Sequence, residues 1–300
     1  MRIVLALVLA AAPAFAQEQK QLSEEQARRI VPRAELTGLT DAQRAVFVDV
    51  ATELYVYAGC QDTLARCLGA GEKDPHALRM ALLVRQLAAD GGQASQIVQA
   101  VERYYDSFSA RNRGPVSAEN CPVTGKGPIA IVEFSDYQCP HGAAALQPLE
   151  QLVEKDRKGK VMLCSKYFPF ASHPRALLAA LCAEYARGKG KFWQMNAALF
   201  AHQDALEDAD LKSYARERGL DGDEMLKKAY AGELDAQVEK NIREGTAAGV
   251  DSTPAIFIDG RRLMLPARSF YLAFALDDEL LWETDRVWNP AAGHKVAKRK

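Results

Sequence analysis

The sequence has no excess of charge of either sign, because 38 Lys and Arg residues face 39 Asp and Glu residues. This balance gives no electrostatic basis for nucleic acid or an anionic membrane as the main partner. Internal repeats and biased stretches are also missing, with 20 Gly and 13 Pro in 300 residues, which excludes collagen-like, coiled-coil and low-complexity chains. An apolar share of 48% is enough to bury a real core, so we expect a globular protein.

Motifs for metals, phosphates and serine nucleophiles are missing as well. The five histidines are scattered, and no Cys or His pair has zinc spacing near another such pair. No glycine-rich loop follows a strand, and no nucleophile elbow supports a Ser-His-Asp arrangement. We therefore expect no metal site and no bound cofactor.

Long apolar runs are absent except for a short one at the start of the chain. Met1 and Arg2 precede an apolar run over residues 3–12, and Ala14-Phe15-Ala16 is followed by Gln17. The run is about ten residues, well short of the ~20 that span a bilayer. The pattern predicts a cleaved signal peptide at residues 1–16, a periplasmic or otherwise exported product, and no transmembrane segment after cleavage.

Export permits disulfides, and the chain has an even number of cysteines. Six cysteines allow 15 full pairings, among which the sequence alone does not choose. They are Cys60, Cys67, Cys121, Cys139, Cys164 and Cys182. Six are too few for a disulfide scaffold in a chain of this length, so the core must supply most of the stability.

Composition changes along the chain predict a two-domain organisation after the signal peptide. Residues 17–110 have the leucine and valine spacing of helices, which predicts a small all-α N-terminal domain. Residues 111–120 are polar with Gly, Pro and Ser and are expected to form a linker. Residues 121–285 then form an α/β domain, and residues 286–300 are a basic tail.

The α/β part begins with a strand, a helix and a second strand. Residues 129–134 are a nearly continuous apolar run, typical of a buried parallel strand. Cys139-Pro140 opens the helix, since Pro is tolerated in the first helical turn, and residues 161–163 form the second strand. A helical block follows over residues 176–242, and then a hairpin turns at Asp259-Gly260.

Three segments, taken in order, resemble the DsbA-like branch of the thioredoxin-fold family. They are VEFSDYQCPH from Val132, KYFP from Lys166 with His173-Pro174 and the later GKFW from Gly190, and STPAIFIDG from Ser252. The resemblance covers residues 118 to about 285. It implies a thioredoxin-like fold with a helical insertion, thiol-disulfide exchange, and exported proteins or small thiols as substrates, with an unknown redox partner.

The resemblance assigns catalytic roles to three residues. Cys139 corresponds to the nucleophilic thiol, at the exposed start of a helix whose dipole favours the thiolate. His141 adds a hydrogen bond or a positive charge to that thiolate. Glu133, six residues before the cysteine, corresponds to a buried acid that assists proton movement.

The resemblance also assigns the substrate-binding surface and exposes one departure from the family. Pro140 and the Thr253-Pro254 loop, which is a cis-proline loop in the family, lie where an extended peptide binds. The family usually has Cys-x-x-Cys, but position 142 is Gly here. Since the second cysteine resolves the mixed disulfide, a Cys139 adduct must wait for another thiol.

The departure at Gly142 leaves three hypotheses for function. The first is monothiol exchange through Cys139 alone. The second is a non-catalytic peptide-binding or chaperone module on the same fold. The third is resolution of the Cys139 adduct by Cys60 or Cys121 elsewhere in the chain.

Candidate structural disulfides involve four cysteines, with alternatives open for some of them. On one continuous helix the Cα atoms of Cys60 and Cys67 would lie about 10.5 Å apart, too far for a bond, so bonding requires a turn near Gly59. Cys164 ends a strand and has Cys182 as one candidate partner. Cys182 is alternatively a free, buried small hydrophobe in an apolar helix.

The N-terminal helices show a second, weaker resemblance. Residues 57–68, followed by residues 78–105, resemble the helical-hairpin domain of CcmH-like cytochrome c maturation proteins. That domain carries Cys-x-x-Cys, but here Tyr57 stands at the first position and leaves Cys60 alone. If the resemblance holds, both thiol motifs of the chain have lost one cysteine.

Overall fold

The computed structural model describes residues 20–69, 74–109 and 112–284. The predicted signal peptide at 1–16 and the basic tail at 286–300 lie outside the described residues. The chain divides into two compact units, Met1–Val98 and Gln99–Lys300. The finer domain bounds expected from the sequence, including a linker at 111–120, stay predictions.

The first unit is helical, as the sequence predicted. Side-chain caps begin its helices: Thr40 accepts a hydrogen bond from the backbone of Gln43, and Asp74 accepts from His76 and Ala77. The helices are α1 (Glu24–Ile30), α2 (Asp41–Glu53), α3 (Leu64–Gly69), α4 (Pro75–Ala89) and α5 (Ala94–Asp106), of which α5 continues into the second unit.

A turn before α3 brings Cys60 and Cys67 together. Gly59 has a positive φ of 76°, and the backbone N–H of Cys60 donates to Asp74 at 2.5 Å. The Cα atoms of the two cysteines are 5.9 Å apart and their sulfurs are bonded. The bonded turn, rather than one continuous helix, is the arrangement of this segment.

The second unit is built on a five-stranded mixed sheet in the order β1-β3-β2-β4-β5. Only β2 and β3 are parallel, with Ile129 opposite Val161, and the other pairs are antiparallel. The strands are β1 (Val123–Gly125), β2 (Ile129–Ser135), β3 (Val161–Tyr167), β4 (Ala255–Ile258) and β5 (Arg261–Arg262). The apolar run of β2 is explained by its burial, since six of its seven residues are buried at the centre of the sheet.

Helices connect and cover the strands. α6 (Pro140–Gln151) follows β2 and continues through a π-helical turn, Leu152–Asp156, after the internal Pro148. Five helices are inserted between β3 and β4, and one follows β5. They are α7 (Ala176–Gly188), α8 (Phe192–Ala201), α9 (Asp208–Glu217), α10 (Gly222–Tyr230), α11 (Asp235–Ala247) and α12 (Ser269–Thr284).

The expected α/β fold with a helical insertion is confirmed, with three differences in detail. β1 and α10 were not predicted; β1 has only three residues, and none of them is buried. β3 runs four residues past the predicted end, since Cys164 to Tyr167 keep the ladder with β2. The return strand of the hairpin, which the sequence predicts over residues 261–264, ends at Arg262 in β5.

Cys164 pairs with Cys121 and not with Cys182. β1 lies antiparallel to β3 with Val123 opposite Cys164, so the residue two positions before Val123 reaches the same edge. The Cα atoms of Cys121 and Cys164 are 5.7 Å apart and their sulfurs are bonded. Cys182 in α7 is free and fully buried. The alternative pairing of Cys164 with Cys182 was therefore wrong.

Candidate functional site

Cys139 lies at the N-cap of α6, where β2 gives way to the helix. Its carbonyl accepts hydrogen bonds from the backbone of Gly142 and Ala143, at 3.0 and 3.4 Å. The first turn of a helix carries the positive end of the helix dipole. The Cys139 residue therefore lies at the positive end of α6.

The Thr253-Pro254 loop packs directly against the sulfur. Cys139 Sγ donates a hydrogen bond to the carbonyl oxygen of Thr253 at 3.1 Å, and the Thr253–Pro254 peptide bond is cis. These residues are 114 positions apart in sequence. The structure thus brings together the cysteine and the proline loop that the sequence patterns singled out.

The expectation of an exposed Cys139 was wrong. The residue is only 7% exposed, while Pro140 and His141 beside it are exposed. The reason is that the sulfur faces back to Thr253 and not out along the helix axis.

Glu133 lies fully buried on β2, between Ser165 of β3 and Ile256 of β4. Burial raises the pKa of Glu133 to about 7, and the neighbouring Ser135 hydroxyl partly opposes this while Glu150 adds to it. Within the described residues, Oε1 of Glu133 has no hydrogen-bond partner. The carboxyl is therefore able to take up or release a proton near neutral pH.

The space around Gly142 is filled. A Cβ atom at this position would lie 2.9 Å from Ser135 Oγ, 3.2 Å from Phe200 Cε1 and 3.3 Å from the Asp136 carbonyl oxygen. The first of these is closer than real Cβ atoms approach a neighbour, so Ser135 would have to move to admit any side chain. The packing at position 142 therefore has room for a glycine but not for a larger residue unless Ser135 moves.

Four of the six cysteines are in disulfides, and the two free ones, Cys139 and Cys182, are both buried. Cys182 is buried in α7, and burial raises the pKa of its thiol to about 12. It is therefore a protonated, apolar side chain at neutral pH. Cys60 and Cys121, considered above as resolving thiols, have no free sulfur in this structure.

Three residues that the sequence reasoning missed hold the turn before Cys139. Asp136 accepts from the backbone of Gln138 at 2.7 Å and contacts His173 Nδ1 at 2.8 Å. Gln203 donates through Nε2 to the carbonyl oxygens of Tyr137 and Cys139, at 2.7 and 2.8 Å. Asp136 and His173 both fall inside the segments that carry the family resemblance, which was the available signal.

No cluster of three or more His, Cys, Asp or Glu side chains able to hold a metal is found among residues 20–69, 74–109 and 112–284. In the same residues, no helix has the length and apolarity needed to cross a bilayer.

Comparison with known proteins places the second unit in a family. The family model described as Thioredoxin matches residues 124–278 of this chain. The chain is 31% identical over 168 residues to Na(+)/H(+) antiporter NhaA 1 of Mycobacterium sp. (strain KMS), covering 54% of this chain and 27% of that protein. The chain thus spans about a quarter of the length of the curated relatives it matches.

Two solved structures are similar to this chain, and the first has the same fold. The oxidised BdbD structure from Bacillus subtilis superposes with a TM-score of 0.51 at 23% identity, covering 56% of this chain and 97% of that one. The thiol-disulfide exchange protein α-DsbA2 from Wolbachia pipientis gives a TM-score of 0.47 at 21% identity, covering 61% and 94%. The family match begins at residue 124, so the CcmH-like resemblance of the N-terminal helices stays a prediction.

Proposed function

The chain belongs to the thioredoxin family, and we propose that it is an exported thiol-disulfide exchange protein that acts through the single thiol of Cys139. One observation carries the proposal: the Cys139 sulfur lies at a helix N-terminus and 3.1 Å from the Thr253 carbonyl beside cis-Pro254. A thiolate is favoured at that position, and the loop offers backbone groups to an extended peptide.

The proposed reaction is an exchange without net oxidation of the pair. Cys139 gives up its proton, and the thiolate attacks one sulfur of a substrate disulfide. A bond forms between Cys139 and that sulfur, the substrate S–S bond breaks, and the released thiolate takes up a proton. In this scheme His141 stabilises the Cys139 thiolate, Glu133 accepts or returns the proton, and Pro140, Thr253 and Pro254 hold the substrate backbone.

Release of the adduct is assigned to an external thiol. Gly142 has no sulfur, and four cysteines are already bonded to one another. Cys182 is a poor nucleophile, because burial raises the pKa of its thiol to about 12. A second thiol, from a small molecule or a protein, would attack the mixed disulfide, bond to the substrate sulfur and leave Cys139 reduced.

Export is part of the proposal. The A-x-A site at residues 14–16 after a short apolar run supports secretion, and two disulfides are typical of an oxidising compartment. Exported proteins with exposed disulfides or thiols, and small thiols, are then the substrates.

The test is trapping of a mixed disulfide. The full mature chain is mixed with an unfolded polypeptide that contains one disulfide, and adducts are separated by non-reducing electrophoresis. We expect an adduct that disappears in the Cys139→Ser variant and persists in Cys182→Ser. Equal trapping by the Cys139→Ser variant would overturn the proposal.

A second candidate function is a peptide-binding module without chemistry. It is supported by the low exposure of Cys139 and by the hydrogen bond that its thiol makes to Thr253, which together shield the sulfur. This candidate predicts that the Cys139→Ser variant binds an extended peptide as tightly as the wild type. Loss of peptide binding in the Cys139→Ser variant would rule out this second candidate function.

A further inference from the structure

The Asp136 side chain lies beneath the turn that carries Cys139 and is almost completely buried. Its Oδ1 accepts from the backbone N–H of Gln138, and its Oδ2 accepts from the backbone N–H of Phe170 at 2.8 Å. Its carbonyl oxygen accepts from the N–H of Cys139 at 3.0 Å. Asp136 therefore contacts the turn through both its side chain and its backbone, and it brings a buried negative charge close to the reactive residue.

His173 is the side chain that faces this charge. Its Nδ1 lies 2.8 Å from Asp136 Oδ2, and its side chain is 31% exposed. Because the neighbour is a carboxylate, Nδ1 carries the proton and donates it. The hydrogen bond withdraws charge from the carboxylate.

We propose that Asp136 and His173 act as a positioning pair for Cys139. Asp136 fixes the turn, and His173 offsets the negative charge that Asp136 would otherwise present to the Cys139 thiolate. The inference rests on the proposed chemistry of Cys139, since without a thiolate at Cys139 there is no negative charge for the pair to act on.

The other charged groups near the turn are engaged elsewhere or are shared by all variants of the test. The Arg175 guanidinium is bound to Asp208 and to the Leu206 carbonyl oxygen. His141 is exposed after Cys139, and Glu133 lies on the preceding strand. These groups remain unchanged when His173 or Asp136 is replaced.

Gln203 offers a matched uncharged contact on the same turn. Its side-chain amide donates to the carbonyl oxygens of Tyr137 and Cys139, so its loss loosens the turn without changing any charge. A variant at Gln203 therefore separates a loss of rigidity from a loss of charge balance.

The experiment measures iodoacetamide alkylation of Cys139 between pH 5 and 9 in the full chain, quantified by peptide mass spectrometry. The variants are His173→Gln, Asp136→Asn, the double variant, and Gln203→Met. We expect His173→Gln to slow alkylation at pH 7 by about fivefold and to move the profile to higher pH, since loss of the Nδ1 hydrogen bond leaves more negative charge on Asp136 near the thiolate. Asp136→Asn should move the profile to lower pH, and the double variant should follow Asp136→Asn.

The Gln203→Met variant should change the rate of Cys139 alkylation by the same factor at every pH, so that its pH profile does not shift. The proposal would be overturned if the pH profiles of His173→Gln, Asp136→Asn and Gln203→Met all shifted in the same direction. It would also be overturned if the pH profile of His173→Gln equalled that of the wild type. If Asp136→Asn does not fold, the comparison of His173→Gln with Gln203→Met decides. Absence of Cys139 alkylation in the wild type would instead refute the proposed function.

Discussion

At the scale of single residues, Glu133 couples stability to pH. Burial raises the pKa of its carboxyl to about 7, against 4.5 for an exposed group. The folded state therefore keeps a proton that the unfolded state loses between pH 4.5 and 7. The unfolding free energy must fall as pH rises through this window and stay lower above it.

We predict that Glu133→Gln removes this dependence. The unfolding free energy of the variant should match that of the wild type near pH 4 and exceed it above pH 7 by about 3 kcal/mol, the free energy that corresponds to the pKa shift. Urea unfolding at pH 4, 5, 6, 7 and 8 measures it. The exposed Glu154→Gln variant is the control and should keep the wild-type slope. A wild-type curve without a fall between pH 4.5 and 7 would contradict the account.

Gly142 and Ser135 provide a second test at this scale. A Cβ at 142 would lie 2.9 Å from Ser135 Oγ, so Gly142→Ala loses in packing what it gains in helix propensity. Removing the hydroxyl with Ser135→Ala makes room. We predict a coupling free energy of about 1 kcal/mol in favour of the double variant, measured by thermal unfolding of all four members of the cycle. Strict additivity would show that the contact is harmless.

The sequence patterns singled out the residues to which we assign the proposed chemistry, but not the residues that hold them in place. Cys139, Glu133 and Pro254 carry recognisable local motifs, and the structure brings Cys139 beside the loop that contains Pro254. The contacts of Asp136 with His173, and of Gln203 with the turn, join residues 37 and 64 to 66 positions apart. Local spacing holds no information about such pairs. Likewise, no pattern showed that the sulfur would face inward.

At the scale of elements, the Cys121–Cys164 disulfide fastens β1 to β3 at the edge of the sheet. It closes a loop of 43 residues, which the chain-entropy relation converts to about 4 kcal/mol of stability. We predict that the Cys121→Ser/Cys164→Ser double variant loses stability of that order in chemical denaturation. The Cys60→Ser/Cys67→Ser variant is the comparison, and its shorter loop should cost about 2 kcal/mol. An equal or smaller loss on removing the longer loop would contradict this ranking.

Elements with strong periodicity were predictable, and short or polar ones were not. The apolar run predicts β2, and the Asp259-Gly260 turn predicts the hairpin of β4 and β5, in which both central turn residues have positive φ. β1 has only three residues, too few for a periodic signal. The burial of Arg261 in β5 could not be predicted from the sequence either. Its partners are distant in sequence, since Ser107 follows α5 and Glu279 lies in α12.

At the scale of the whole molecule, the order of elements was predictable from the sequence and the pairing of cysteines was not. The strand, helix and proline-loop order carries the thioredoxin-family assignment, which is confirmed by the match over residues 124–278. Disulfide pairing depends on which segments share an edge of the sheet, and β1 was invisible in the sequence. The pairing nevertheless determines the proposed chemistry, because it leaves Cys139 without a reactive thiol partner in the chain.

The most direct test follows the lifetime of an adduct on Cys139. The native protein is treated with a small aromatic disulfide, freed of reagent, and followed by intact-mass and peptide mass spectrometry with no thiol present. The account predicts one adduct per chain, on Cys139, that keeps its mass for hours and is released when a small thiol is added. Loss of the adduct without added thiol, with Cys139 found in an internal disulfide, would contradict it.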